Sequence, residues 1–219
     1  MIDRLLAIIA PHRCYGCGDE SAILCDCCKN DIFETPFTVC VVCRELAARD
    51  NLCNRHALPY THLWCAAKRE GALEATIDAY KFRRVRAAAH VLAELLDTSL
   101  PDLGTKVVIV PVPTAPKNVR IRGYDHMALV ARALAKRRGW TVSTALRRRS
   151  NVTQHFAKTA TERRRHAKDF FEVRGSVNID QPHLVIDDIF TTGSTVEAAA
   201  DCLKQAGATE VWVGVIARQ

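Results

Sequence analysis

The chain has 219 residues, 48% of them hydrophobic and 25% charged, with a formal net charge of +7. That length and balance suit one main folded domain with a small appendage, and they exclude a disordered or collagen-like chain. The charge is uneven: residues 68–175 hold 23 Lys and Arg against 10 Asp and Glu, while both flanking segments are mildly acidic. A basic middle points to an anionic partner such as phosphates, pyrophosphate or a nucleic-acid backbone, or else to a solvated surface of arginine-rich helices.

In chain order, Leu5–Ala10 is an apolar run ended by Pro11, too short for a signal-peptide core or a membrane span, and reads as a short amphipathic helix. No membrane insertion and a cytoplasmic location are expected. Eight of the ten cysteines lie between residues 14 and 53. Cys14/Cys17, Cys25/Cys28 and Cys40/Cys43 form Cys-x2-Cys pairs, and Cys53/His56 forms a Cys-x2-His pair. Two intervening residues let both ligands of a tight turn face one ion, so the four pairs predict two tetrahedral, closed structural sites. One has Cys14, Cys17, Cys25 and Cys28, the other Cys40, Cys43, Cys53 and His56. Clustering in an otherwise cytosolic-looking chain favours metal over disulfides or free thiols, and the histidine and paired spacing favour zinc over an iron–sulfur cluster. Cys27 is an alternative to Cys25 or Cys28. Cys65 and Cys202 stand apart, Cys202 within an apolar helical pattern. The expected division is a cysteine-rich zinc module over 1–67 and a larger domain over 68–219.

From residue 68 the periodicity changes. A helical stripe over 85–98 precedes a β-branched run at 106–113 cut off by prolines. Residues 126–139 read as a helix closed by Gly139, and "TVSTALRR" (141–148) as a strand. "HLVID" (183–187) is a buried strand, 195–207 a helix ending at Gly207, and "EVWVGVIA" (210–217) a last strand. Strands alternating with helices predict a mostly parallel sheet with helices on both faces, which binds ligands beyond the carboxyl ends of its strands. Residues 147–174 carry 9 basic against 3 acidic residues without a clean period, and read as a long, mobile, cationic loop with a short helix.

"HLVIDDIFTTGST" (183–195) carries the sharpest chemistry. Thr191, Thr192, Gly193, Ser194 and Thr195 join a buried strand to a helix, where free N–H groups and the helix dipole favour an anion, phosphate above all. Gly193 permits the tight turn and the hydroxyls add donors without charge. Asp187 and Asp188, just upstream, repel phosphate but accept hydrogen bonds from hydroxyls. A sugar phosphate with vicinal hydroxyls satisfies both ends.

"VIDDIFTTGST" (185–195) resembles the phosphoribosyl-pyrophosphate (PRPP) motif of type I phosphoribosyltransferases. With the cysteine pairs, "YKFRR" (80–84), "VPVPTAPKNVRIRGYDH" (110–126) and Gln154 with its following arginines, nearly the whole chain resembles the ComF family. The resemblance implies a type I phosphoribosyltransferase-like domain behind a zinc module. It places Asp187 and Asp188 on the ribose hydroxyls, one as a candidate general base, and Thr191–Thr195 around the 5-phosphate. The pyrophosphate loop falls at "VPVPTAP" and a flexible lid at 147–165, with Lys81, Arg122 and the lid arginines as pyrophosphate contacts. Family members usually carry Arg-Gly-Phe/Tyr-Asn-Gln where this chain has Arg122-Gly123-Tyr124-Asp125-His126. An asparagine usually found after Gln154 is here Arg165 or His166.

The implied reaction is displacement of pyrophosphate from PRPP by an unidentified nitrogenous acceptor, with Mg²⁺ on the pyrophosphate and ribose oxygens, a place in nucleotide metabolism, and a link to DNA uptake and competence. The alternative is a single-stranded-DNA-binding protein of the transformation machinery, alongside competence proteins, with PRPP as effector or absent. Phe156, Phe170, Phe171 and Trp64 are its few candidate stacking residues.

Overall fold

The computed structural model describes residues 12–20, 22–34, 37–47, 50–149 and 170–219. The expected helix at Leu5–Ala10 and residues 150–169 of the cationic segment, with Gln154, Phe156, Arg165 and His166, lie outside the described residues.

The elements run α1 (Asp26–Glu34), β1 (His62–Lys68), α2 (Gly71–Phe82), α3 (Ala88–Ser99), β2 (Val108–Pro111), α4 (Pro116–Arg122), α5 (His126–Arg138), β3 (Thr141–Val142), β4 (Leu146–Arg148), β5 (Phe171–Val173), β6 (His183–Phe190), α6 (Ser194–Gln205) and β7 (Val211–Arg218). Five strands form one parallel sheet in the order β1-β7-β6-β2-β3. Through the middle of the strands the period-2 pleat sorts the residues onto two faces. Trp64, Leu184, Ile186, Trp212 and Ile216 pack with α2, α3 and α5 on one face. Leu63, Cys65, Val185, Val213 and Val215 pack with Val196, Ala199 and Leu203 of α6 on the other. Helices therefore cover both faces, which is why the strands read as near-continuous apolar runs.

The run at 141–148 is two strands, not one: β3 extends the main sheet, and β4 pairs antiparallel with β5 in a separate ribbon. The described ends of the cationic segment are thus ordered, with Arg147 opposite Glu172 and Arg148 opposite Phe171. β6 also continues beyond "HLVID", through both acids to Phe190, although at its end the faces cross over: Ile189 packs on the α2–α5 side and Phe190 on the α6 side. On the β7 side pairing follows it to Phe190↔Arg218, but on the β2 side it ends at Pro111↔Ile186. Beyond Ile186 the β2 side of β6 is open. Chain crossings leave β2 and β6 toward opposite faces, so this opening is the switch point where parallel sheets hold ligands.

The cysteine-bearing segment grips the edge of the sheet. β1 straddles the expected 67/68 boundary and pairs with β7. Its outer edge is covered by Asn51, whose backbone N–H donates to the Leu63 carbonyl at 2.8 Å and whose side-chain oxygen accepts from the Cys65 N–H at 2.7 Å. The Asn51 amide also donates to the Phe37 carbonyl. An otherwise open strand edge is thereby satisfied by one buried side chain. Asn51→Ala strands the Cys65 N–H and the Phe37 carbonyl, and should lower stability by about 2–3 kcal/mol, read from the urea midpoint of the metal-loaded protein. A loss within about 0.5 kcal/mol would show that water replaces the amide there.

Candidate functional site

The alternation that sorts the core also parts the two adjacent acids. Asp188 shares the parity of Leu184 and Ile186, and is buried on the face of α2 and α5. There it accepts from Lys81 Nζ at 2.8 Å and from His126 Nε2 at 2.6 Å. Asp187 shares the parity of Val185, keeps part of its surface open, and accepts the Asp188 backbone N–H at 2.9 Å. Burial pushes both carboxyls upward. For Asp188 the His126 hydrogen bond and the Lys81 charge outweigh it and hold the pKa below the ordinary carboxylate range. For Asp187 the neighbouring Asp188 charge adds to burial, and the pKa stands above that range. One acid is clamped and ionised; the other is left to the cleft.

The cleft encloses about 400 Å³ and is lined by Lys81, Arg122, His126, Arg148, both acids, Thr191 and Thr195, with Thr114 from the β2–α4 connection and Asn118 from α4. Gly193 begins α6 at φ +82, a left-handed backbone that glycine adopts without strain. Gly193, at the N-cap, has no side chain to cap the first turn of α6, and a helix start of this kind presents N–H groups suited to an anion. Thr192 and Ser194 bond each other at 3.1 Å and are not among the residues lining the cleft.

Lys81, Arg122, Asp187, Asp188, Thr191 and Thr195 thus line one cleft, with Lys81 paired to Asp188. His126, given no role from the sequence, completes the site with Thr114, Asp125 and Arg148. His126 links Asp188 to Thr114, whose Oγ1 lies 2.7 Å from Nδ1 and donates to Asp125 Oδ1 at 2.8 Å. Arg122 Nη1 lies 3.0 Å from the same Nδ1. Asp125 also caps α5 through the Ala128 N–H. Arg148 lies across the cleft over the Phe171 ring, 5.3 Å from its centroid, and burial draws its pKa down while Asp187 opposes the shift. It is one of the 147–165 arginines that the family resemblance sets toward pyrophosphate.

Two groups of metal-ligating side chains stand apart from the cleft: Cys14, Cys17, Cys25 and Cys28, and Cys40, Cys43, Cys53 and His56. In each, the ligand atoms lie within 4.8 Å of one another, close enough to hold a metal ion. Cys14–Cys25 and Cys17–Cys25 sulfurs are 3.7 Å apart and Cys43–Cys53 sulfurs 3.6 Å. Zn–S bonds near ~2.3 Å set tetrahedral ligands about 3.8 Å apart, so the sulfur spacing fits such an ion. Burial opposes ionisation of Cys14, but the N–H groups of Cys25, Cys17 and Gly16 outweigh it and lower its pKa to about 6. A Cβ on Gly16 would fall 2.5 Å from Cys28 Sγ, so only glycine lets that knuckle close. His56 Nε2 is buried without a protein partner, as expected of a ligand atom. Cys27 is exposed and outside the quartet.

The chain matches no family model. It is 30% identical to the DNA utilization protein YhgH of Salmonella typhi over 225 residues, 89% of this chain and 96% of that one. It is 24% identical to the competence protein ComFC of Bacillus subtilis (strain 168) over 222 residues, 93% and 83% of the two chains. The chain belongs to the ComF family. Among solved structures it is similar to the allosteric regulatory enzyme of purine biosynthesis (TM-score 0.45, 19% identity, 64% of this chain), spanning 30% of that structure. It is also similar to adenine phosphoribosyltransferase from Thermoanaerobacter pseudethanolicus (TM-score 0.40, 15% identity, 66% and 74% of the chains).

The departure from the ComF pattern at Asp125-His126 now has a physical meaning. An amide in place of His126 can donate to Asp188 as well, whereas the imidazole here reaches both Asp188 and Thr114 through its two ring nitrogens. The ion pairing of Asp188 stabilises the fold above its unfolded pKa near ~4 and is lost as pH falls through its depressed folded value. Asp188→Asn should therefore flatten the fall of the urea midpoint below about pH 4. Equal acid limbs in both proteins would contradict this pairing.

Proposed function

We propose that the chain binds PRPP at this cleft and belongs, by chemistry as well as by fold, with the phosphoribosyltransferases. The observation that carries the reading is the convergence of a partly open carboxylate, Asp187, and the threonine-bearing, glycine-led start of a helix on one crevice at the switch point. Thr191–Thr195 would take the 5-phosphate and Asp187 a ribose hydroxyl. Arg122 and Arg148 would face the pyrophosphate, with Lys81 available to it if its pairing with Asp188 is exchanged. In the reaction the C1–O bond to pyrophosphate breaks with its electron pair leaving on pyrophosphate, a nitrogenous acceptor forms the new bond to C1, and the acceptor's proton passes to a base, with Asp187 the candidate. Mg²⁺, when bound with PRPP, neutralises the leaving group.

Two closed zinc sites with the ligands named above would make the cysteine-bearing module a structural unit folded by metal. We place the module within residues 1–67 and the transferase-like domain within 68–219, sharing β1. No helix among the described residues is long and apolar enough to cross a membrane; we propose a cytoplasmic site of action, with a link to competence and DNA utilization suggested by the names of the relatives.

Calorimetric titration of the zinc-loaded protein with PRPP and Mg²⁺ tests the reading. Saturable binding should be lost in Asp187→Asn/Asp188→Asn, and no binding by the intact protein would end it.

A second reading, a single-stranded nucleic acid partner, is favoured by one surface. Phe82 is 73% and Ile121 59% exposed, and Arg84 donates to the Ile121 carbonyl at 2.9 Å, joining the end of α2 to α4. Arg83, Arg86, Lys117 and Arg120 are exposed nearby in sequence, and no acid lies between Asp78 and Glu94 or between Asp102 and Asp125. Exposed aromatics among cations suit stacked bases on a neutralised backbone. Phe82→Ala should weaken binding of a fluorescent single-stranded oligonucleotide by about fivefold or more, with affinity falling steeply as salt rises. Binding indifferent to both would remove this reading.

A further inference from the structure

Phe190, the last residue of β6, stands immediately before the Thr191–Thr195 loop, and its ring supports that loop. A Cβ added to Gly193 would fall 2.5 Å from the Phe190 Cζ, so ring and loop backbone are in direct contact. The same ring carries the Arg218 guanidinium 5.5 Å from its centroid. Arg218 also donates Nη1–H to the Phe190 carbonyl at 3.3 Å and Nε–H to the Val41 carbonyl at 2.8 Å. Val41 lies between Cys40 and Cys43, is fully buried, and donates its own N–H to the Asn51 carbonyl at 2.9 Å. One arginine thus joins the backbone of a metal-ligand knuckle to the residue on which the loop rests.

An independent feature places the same cluster against the loop's helix. A cavity of about 600 Å³ has Val42, His56 and Leu58 on one wall and Ser194, Glu197 and Asp201 of α6 on another. The side chains of Val41, Phe190 and Val196 also belong to one buried apolar cluster.

We propose that the Cys40–Cys43–Cys53–His56 cluster anchors the Thr191–Thr195 loop in its binding geometry, and that Arg218 is the positioning residue through which it acts. A four-coordinate ion fixes the knuckle far more stiffly than a short loop fixes itself, and a preset loop binds without the cost of ordering it first. Arginine suits the link because its rigid fork donates in two directions while its face lies on a ring; lysine supplies the charge without the fork. The consequence for PRPP rests on the function proposed above, but the mechanical link does not.

The test uses the zinc-loaded full chain, with Arg218→Met, Arg218→Lys and His56→Ala, and reads backbone amide exchange over residues 190–197 alongside PRPP titration with Mg²⁺. Arg218→Met keeps length and apolar contact but removes the donors. It should speed exchange in 190–197 about tenfold and weaken PRPP binding about tenfold, the loss of one well-formed hydrogen bond. Exchange in the β2–α4 connection should stay unchanged, Arg218→Lys should recover part of the loss, and Arg218→Met/His56→Ala should exceed neither single variant, because both cut one linkage. Unchanged exchange in Arg218→Met would overturn the proposal, as would a rise spread evenly over the sheet or effects that multiply. Should His56→Ala fail to fold, the two Arg218 variants decide alone. Failure of the intact protein to bind PRPP ends the transferase reading and leaves the exchange result to decide this one.

Discussion

Two adjacent buried carboxylates raise each other's pKa unless one is given its own cationic and hydrogen-bonding partners, and the pleat of β6 decides which one receives them. Successive side chains leave a strand on opposite faces, so Asp188 meets Lys81 and His126 on the α2–α5 face while Asp187 does not. The ion pairing of Asp188 offsets its own desolvation; the unclamped Asp187 carries the cost of the pair as a raised pKa. The clamp also ties α2 and α5 to the end of the strand that bears the threonine loop. The acid that looks like a spare copy of its neighbour is therefore the joint of the site, while the other keeps part of its surface open to the cleft.

The cysteine-bearing segment is fastened to the same framework on both faces. Cys14, Cys28, Ile23 and Leu24 pack into the apolar cluster that contains Leu73 and Ile77 of α2, and Lys29 pairs with Glu94 of α3 at 3.2 Å. Val41, beside Cys40, packs instead with Phe190 and Val196 on the α6 face. Each cluster thus buttresses one of the helical layers that wall the cleft, with Asn51 holding the edge strand between them. A segment with few large apolar residues can do this only if something other than its own core stiffens the knuckles, and the sulfur spacing fits a tetrahedral ion for that purpose.

Much of this was legible in the sequence because it depends on local rules. Gly139 closes α5 in a left-handed conformation, as a glycine after an apolar helical stripe should. The Cys-x2-Cys spacing brought the expected quartets together, and the PRPP-like motif placed Asp187, Asp188, Thr191 and Thr195 on one cleft. What was hidden depends on partners distant in the chain. β1 lacks the flanking signals of a strand and is defined by β7, residues later by far. The partition of the two acids follows from which face each meets, and Lys81 and His126 come from separate helices. The change at Asp125-His126 was visible as a departure from the family pattern, but its meaning needed the 2.6 Å contact to Asp188.

The most direct test of the central claim is a crystal structure of the zinc-loaded protein with PRPP and Mg²⁺. The account predicts the 5-phosphate against the Thr191–Thr195 backbone, a ribose hydroxyl on Asp187, and Asp188 still held by His126. Density for PRPP elsewhere, or for the ribose on the far side of the sheet from Asp187, would contradict it.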